Sequence, residues 1–137
     1  VILSAGMSTL AEISHAALRI NNLKYVLHTT SSYPTPAAEL NLAKMELLKG
    51  MCDDVGYSNH YPSAEACLWA LTNRAAMIEF HYTLDKGMFG SDQLASLNYE
   101  SASNICKYRD FLENINLAID IGVQPSEVPV KAKLRKI

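Results

Sequence analysis

The chain has 137 residues, of which 49% are apolar and 19% charged, with a formal net charge of −2. That length allows one modest core rather than two domains, and the composition excludes a disordered chain. Acids and bases are interspersed, which leaves no footprint for nucleic acid or a membrane surface, and neither a transmembrane-length apolar run nor a signal-peptide pattern is visible. Cys52, Cys67 and Cys106 are odd in number, widely spaced and without a C-x-x-C pair, so free thiols in a reducing, cytoplasmic compartment are expected. The basic tail of Lys131, Lys133, Arg135 and Lys136 reads as solvated.

Val1-Ile2-Leu3-Ser4-Ala5 reads as a short buried strand ending at a serine. With no lead-in or initiator methionine before it, the chain is expected to begin inside a larger protein. Gly6-Met7-Ser8 makes the turn, and Thr9 with Glu12 has the pattern of a capping box. Leu10, Ile13, Ala17 and Ile20 share one face, which predicts a helix from Thr9 to Ile20 stopped by Asn21-Asn22. Lys24 to His28 is the second strand. The hydroxyl-rich loop from Thr29 to Pro36 follows, and Pro36 opens a helix through Leu40, Met45, Leu47 and Leu48 that Gly50 closes.

The third strand, Val55 to Ser58, ends at Asn59-His60, and Tyr61-Pro62-Ser63 turns the chain into a helix carrying Ala66, Leu68, Trp69, Ala70 and Leu71. Trp69 is expected in the core. Asn73-Arg74 ends that helix, and Ala75 to Tyr82 is the fourth strand, its apolar run Ala76-Met77-Ile78 suiting a sheet covered on both faces. A loop with two glycines and the acids Asp85 and Asp92 comes next. Asn98 then caps a long helix from Tyr99 to Ile121, with Ile105, Tyr108, Leu112, Ile115 and Ile119 on its apolar face and Gly122 at its end.

Strand–helix alternation at this spacing implies repeated βαβ units, a parallel sheet and strand ends gathered on one side. Four units are half of a (β/α)8 barrel, which needs about 250 residues. The expected fold class is therefore α/β, the second half of a TIM barrel, with residues 1–121 as four βα units equivalent to strands 5–8. Both strand edges of such a half, at Ile2-Leu3 and Met77-Ile78, invite pairing, so dimerisation or aggregation of the chain by itself is expected.

Ligands of α/β proteins sit beyond the carboxyl ends of strands. The residues there are Ser4; His28 with Ser31 and Tyr33; Ser58 with His60; and His81 with Asp92. His60 and His81 come from consecutive strands, and two neutral imidazoles at that separation suit a divalent metal with positions left open for substrate oxygen. A strand-end histidine by itself is more often a capped structural residue. Ser4, Ser31, Tyr33 and Ser58 supply donors for phosphate or carboxylate oxygens, or else only cap helices and satisfy turns. No Gly-rich phosphate loop, nucleophile elbow or H-E-x-x-H helix is present.

Four segments in order resemble the sialic acid synthase family. Ile2-Leu3-Ser4-Ala5-Gly6-Met7 is similar to I-L-S-T-G-M, and Leu27 to Pro36 to L-H-C-T-S-x-Y-P-T-P. Val55-Gly56-Tyr57-Ser58-Asn59-His60 resembles V-G-Y-S-D-H. His81-Tyr82-Thr83-Leu84-Asp85 resembles H-F-T-L-D, followed by a G-x-D-x-x-A-S-L match from Gly90 to Leu97. The resemblance implies a barrel enzyme that condenses phosphoenolpyruvate with N-acetylmannosamine or a related amino sugar, releasing phosphate, and that is a homodimer in full-length form. A synthase for legionaminic- or pseudaminic-type sugars, or a non-catalytic half-barrel remnant, are the alternatives.

By motif match His60 and His81 would ligate manganese or magnesium, Asp92 would hold sugar hydroxyls or the metal-bound substrate, and Ser4, Ser31, Tyr33 and Ser58 would hold phosphoenolpyruvate. Catalysis would rest on His60, His81 and Asp92, and His28 has no assigned role. Residues 122–137 would be a linker toward a small antifreeze-like domain. Lysines of the first half-barrel would complete the site, so the chain by itself is expected to be inactive. Asn59 stands where the family usually carries Asp, Phe80 where it carries Lys or Arg, and Tyr61-Pro62 where it carries Thr.

Overall fold

A computed structural model of the chain describes residues 1–115 and 120–135. Ile119 of the expected apolar face and Lys136 of the basic tail lie outside the described residues. Four strands, β1 (Ile2–Ser4), β2 (Tyr25–His28), β3 (Asp54–Asn59) and β4 (Ile78–Phe80), form one sheet in the order β1-β2-β3-β4, each parallel to the next. Between and after them run α1 (Leu10–Ala17), α2 (Lys44–Leu48), α3 (Glu65–Thr72), α4 (Tyr99–Asn114) and α5 (Val128–Leu134). The expected parallel α/β architecture is present.

Strand alternation divides the sheet into two faces. Leu3, Ala5, Val26, Val55, Tyr57, Ile78 and Phe80 pack with Met45, Leu48, Cys67, Ala70 and Ile105 of the helices in one apolar cluster. Ser4, Leu27, Gly56, Ser58 and Glu79 are linked by the strand register and occupy the opposite face. The helices pack against one face; on the other, Leu27, Gly56 and Ser58 are buried and Glu79 of β4 is exposed. On the face away from the helices, Gly56 makes room for its neighbours. A Cβ there would come within 2.4 Å of a Leu27 methyl and 2.7 Å of the Met77 carbonyl oxygen.

The helices start where expected and stop sooner. At α1 the Thr9 hydroxyl accepts from the Glu12 amide at 3.3 Å, and the Glu12 carboxylate accepts from the Thr9 amide at 2.8 Å. These bonds with Thr9 hold the Glu12 carboxyl below its usual range. The helix expected to run on from Pro36 is two pieces, a 3₁₀ turn at Ala37–Glu39 and α2, because Asn41 takes a left-handed φ of 44° between them. Trp69, expected in the core, is 40% exposed. It lies on the side of α3 away from Ala66, Cys67 and Ala70, which are the residues that meet the sheet. The last long helix ends at Asn114, where Ile115 turns extended, not at Ile121.

Candidate active site

His60 leaves the end of β3 on the face away from the helices and is 6% exposed. Its Nδ1 lies 2.8 Å from the Thr30 carbonyl oxygen, with the Thr29 hydroxyl at 3.3 Å. A carbonyl only accepts, so Nδ1 carries the proton and Nε2 is left with a lone pair. The Thr35 amide donates to the His60 carbonyl at 2.9 Å, tying the loop after β2 to the end of β3 from both directions.

His81 leaves β4 in the same way. Its carbonyl accepts from Leu97 at 2.7 Å, and the Thr83 amide donates to the Leu97 carbonyl at 2.9 Å, so the glycine-containing loop is drawn back beside the strand end. That return places an Asp92 carboxylate oxygen 3.7 Å from His81 Nδ1, too long for a hydrogen bond but close enough to attract an imidazolium. The His60 and His81 ring centroids are 5.3 Å apart, and the Tyr33 ring stands 4.0 Å from the first and 5.7 Å from the second. The structure therefore brings together four of the expected site residues: His60, His81, Tyr33 and Asp92.

The serines are more spread. Ser58 is buried one layer below His60, and its hydroxyl donates to a Glu79 carboxylate oxygen at 2.6 Å. Ser4 and Ser31 belong to the neighbouring ends of β1 and β2. A Cβ on Gly6 would fall 2.2 Å from the Ser31 hydroxyl oxygen, so glycine at that turn is what admits this side chain. Glu79 had no role in the sequence reading, although strand alternation from His81 places it on the same face.

His28 points the other way, toward the helices. It is 1% exposed, lies 6.0 Å from the Tyr57 ring, and donates through Nε2 to the Leu40 carbonyl at 2.9 Å, while its buried Nδ1 lacks a partner among the described residues. Burial pushes its pKa below the usual value of 6.5. Asn59 and Phe80 also turn from the site. Asn59 is fully buried, accepting from the Tyr57 hydroxyl at 3.0 Å and donating to the Tyr61 carbonyl at 2.8 Å. Phe80 packs on the core. Neither departure from the family pattern thus removes a charge facing the imidazoles, and a carboxylate at position 59 could not make the donation to Tyr61.

Comparison with known proteins decides the family. A family model, described as NeuB family, matches residues 1–118. The chain belongs to the NeuB family. It is 42% identical over 113 residues to the N,N'-diacetyllegionaminic acid synthase of Campylobacter jejuni, a match covering 77% of this chain and 34% of that protein. The human N-acetylneuraminate-9-phosphate synthase is 26% identical across 99% of the chain and 39% of its own length. Among solved structures, the N-acetylneuraminic acid synthetase of Leptospira borgpetersenii, in complex with citrate, superimposes with a TM-score of 0.77 at 28% identity, covering 99% of this chain and 50% of that one. This NeuB chain thus spans between about a third and a half of the length of these relatives. No helix among the described residues is long and apolar enough to cross a membrane.

The residues of this NeuB chain suit part of a metal site rather than a whole one. Among the described residues no group of three or more His, Cys, Asp or Glu side chains is arranged to hold an ion. The residues that could contribute to such a site are the two adjacent imidazoles, and the Nδ1 proton of His60, committed to a backbone carbonyl, leaves its Nε2 free to ligate.

Proposed function

We propose that this chain is the C-terminal half of the barrel of a nonulosonate synthase, condensing phosphoenolpyruvate with N-acetylmannosamine or a related amino sugar and releasing phosphate. The observation that carries the reading is the 5.3 Å approach of the His60 and His81 rings at adjacent strand ends. Four parallel strands in sequential order suit half of an eight-stranded barrel, and the share of each relative that the chain spans is in keeping with that.

In this reading His60 and His81 hold manganese or magnesium, which when bound supplies Lewis acidity to the aldehyde of the sugar. Thr30 and Thr29 orient His60, and Asp92 accepts hydrogen bonds from sugar hydroxyls beside His81. Tyr33 closes one side of the pair and donates through its phenol. Ser4 and Ser31 donate to the oxygens of phosphoenolpyruvate, together with Ser58 once its hydroxyl turns from Glu79. Holding both reactants in line accounts for much of the rate advantage in such a condensation.

Identity to the legionaminic acid synthase of Campylobacter jejuni favours a second reading in which the sugar is of the legionaminic type. Asn59 and Phe80, the residues that favour the remnant reading, both face away from the imidazoles. The test is a manganese titration. One site is expected, absent in His60→Ala and in His81→Ala, and equal binding by wild type and both variants would overturn the assignment. Phosphoenolpyruvate turnover by the 137-residue chain alone is expected to be nil.

A further inference from the structure

The strand register pairs Ser58 with Glu79, and His60 and His81 follow two residues later on the same face. The Ser58–Glu79 pair is therefore a layer of its own, roughly 6–7 Å below the imidazoles along the strands. The 2.6 Å contact is a short, charge-assisted bond in which Ser58 is the donor. A serine hydroxyl has one proton, and here it goes to Glu79, so Ser58 is left with only lone pairs to offer. Ser58 is 3% exposed, whereas Glu79 is exposed to the space above the sheet. Glu79 and Asp92 bring two carboxylates to this end of the sheet, and Lys86 brings an ammonium to its edge, donating to the Pro62 carbonyl at 3.0 Å.

We propose that Glu79 sets the charge of the site: its carboxylate, held by Ser58 beneath the imidazole pair, strengthens binding of a divalent cation there and keeps a bare oxyanion off Ser58 until that cation is bound. This rests on reading His60 and His81 as the cation-binding pair. Glu79 acts as a positioning and charge-balancing residue. A unit charge about 7 Å from a divalent ion, even at the dielectric of water, changes affinity about tenfold. The same carboxylate opposes a phosphate oxygen at Ser58, both by charge and by occupying the hydroxyl proton. Cation first and anion second is then the order of loading.

The experiment compares wild type, Glu79→Gln, Glu79→Asp and Ser58→Ala in binding manganese alone, followed by water-proton relaxation, and inorganic phosphate alone, followed by NMR shifts. Glutamine keeps an acceptor for Ser58 and removes only the charge. Glu79→Gln is expected to weaken manganese about tenfold and to tighten phosphate, with an unchanged melting temperature. Glu79→Asp is expected to recover most of the manganese affinity, and Ser58→Ala to lose much less of it than Glu79→Gln. If Glu79→Gln binds manganese within twofold of wild type while His60→Ala abolishes binding, the role given to Glu79 is wrong and the imidazole pair stands. If wild type itself binds no manganese, the proposed function fails and this inference fails with it.

Discussion

Thr30, just past the end of β2, holds the Nδ1 proton of His60, just past the end of β3, across 2.8 Å. One strand-end loop therefore chooses the tautomer of the imidazole on the next strand. Nitrogen-15 spectra of the metal-free chain at pH 8 are expected to show His60 protonated on Nδ1, with Nε2 unprotonated. An Nε2-protonated form would mean that the lone pair required for ligation faces Thr30, and the cation reading would lose its geometric basis.

The buried His28 imidazole ties acid stability to a residue outside the site. Burial lowers its folded-state pKa below the usual 6.5, so between those two values the unfolded chain binds more protons than the folded one. Stability is therefore expected to be flat above pH 6.5, to fall as pH drops below it, and to level off beneath the depressed folded value. Urea midpoints measured from pH 8 to pH 5 check this. His28→Gln, which keeps a donor for the Leu40 carbonyl, is expected to flatten the slope, and an equal slope in both proteins would clear His28 of the effect.

Replacing Gly56 by alanine tests the layer that underlies the site. The added methyl meets a Leu27 methyl, which can rotate, and the Met77 carbonyl, which is backbone beside β4 and cannot. A loss of about 1–3 kcal/mol in urea-unfolding free energy is expected, typical of overpacking. Little or no loss would show that β4 shifts freely against β3.

The order of elements was legible because each strand is a short apolar run closed by a turn, and the capping box at Thr9 and Glu12 is a purely local code. Convergence of His60 and His81 was legible too, since consecutive parallel strands bring their ends together. What escaped was conformation without a local signature. Asn41 breaks the expected long helix by taking a left-handed φ that no periodicity announces, and the position of Trp69 on α3 depends on which side meets the sheet. Asn59 and Phe80 were readable in principle. Each neighbours a site histidine in an extended segment, so each had to point to the opposite side. Glu79 follows from the same alternation, two residues before His81.

The helices cover one side of the sheet, so the side chains they pack on alternate along the same strands with those of the candidate site. Ser4, Ser31 and Glu79 lie outside the cluster around Val26, Val55 and Tyr57, and Met45 and Cys67 lie outside the candidate site. A lineage built on this plan is free to retune what it recognises one residue at a time, without renegotiating how it folds.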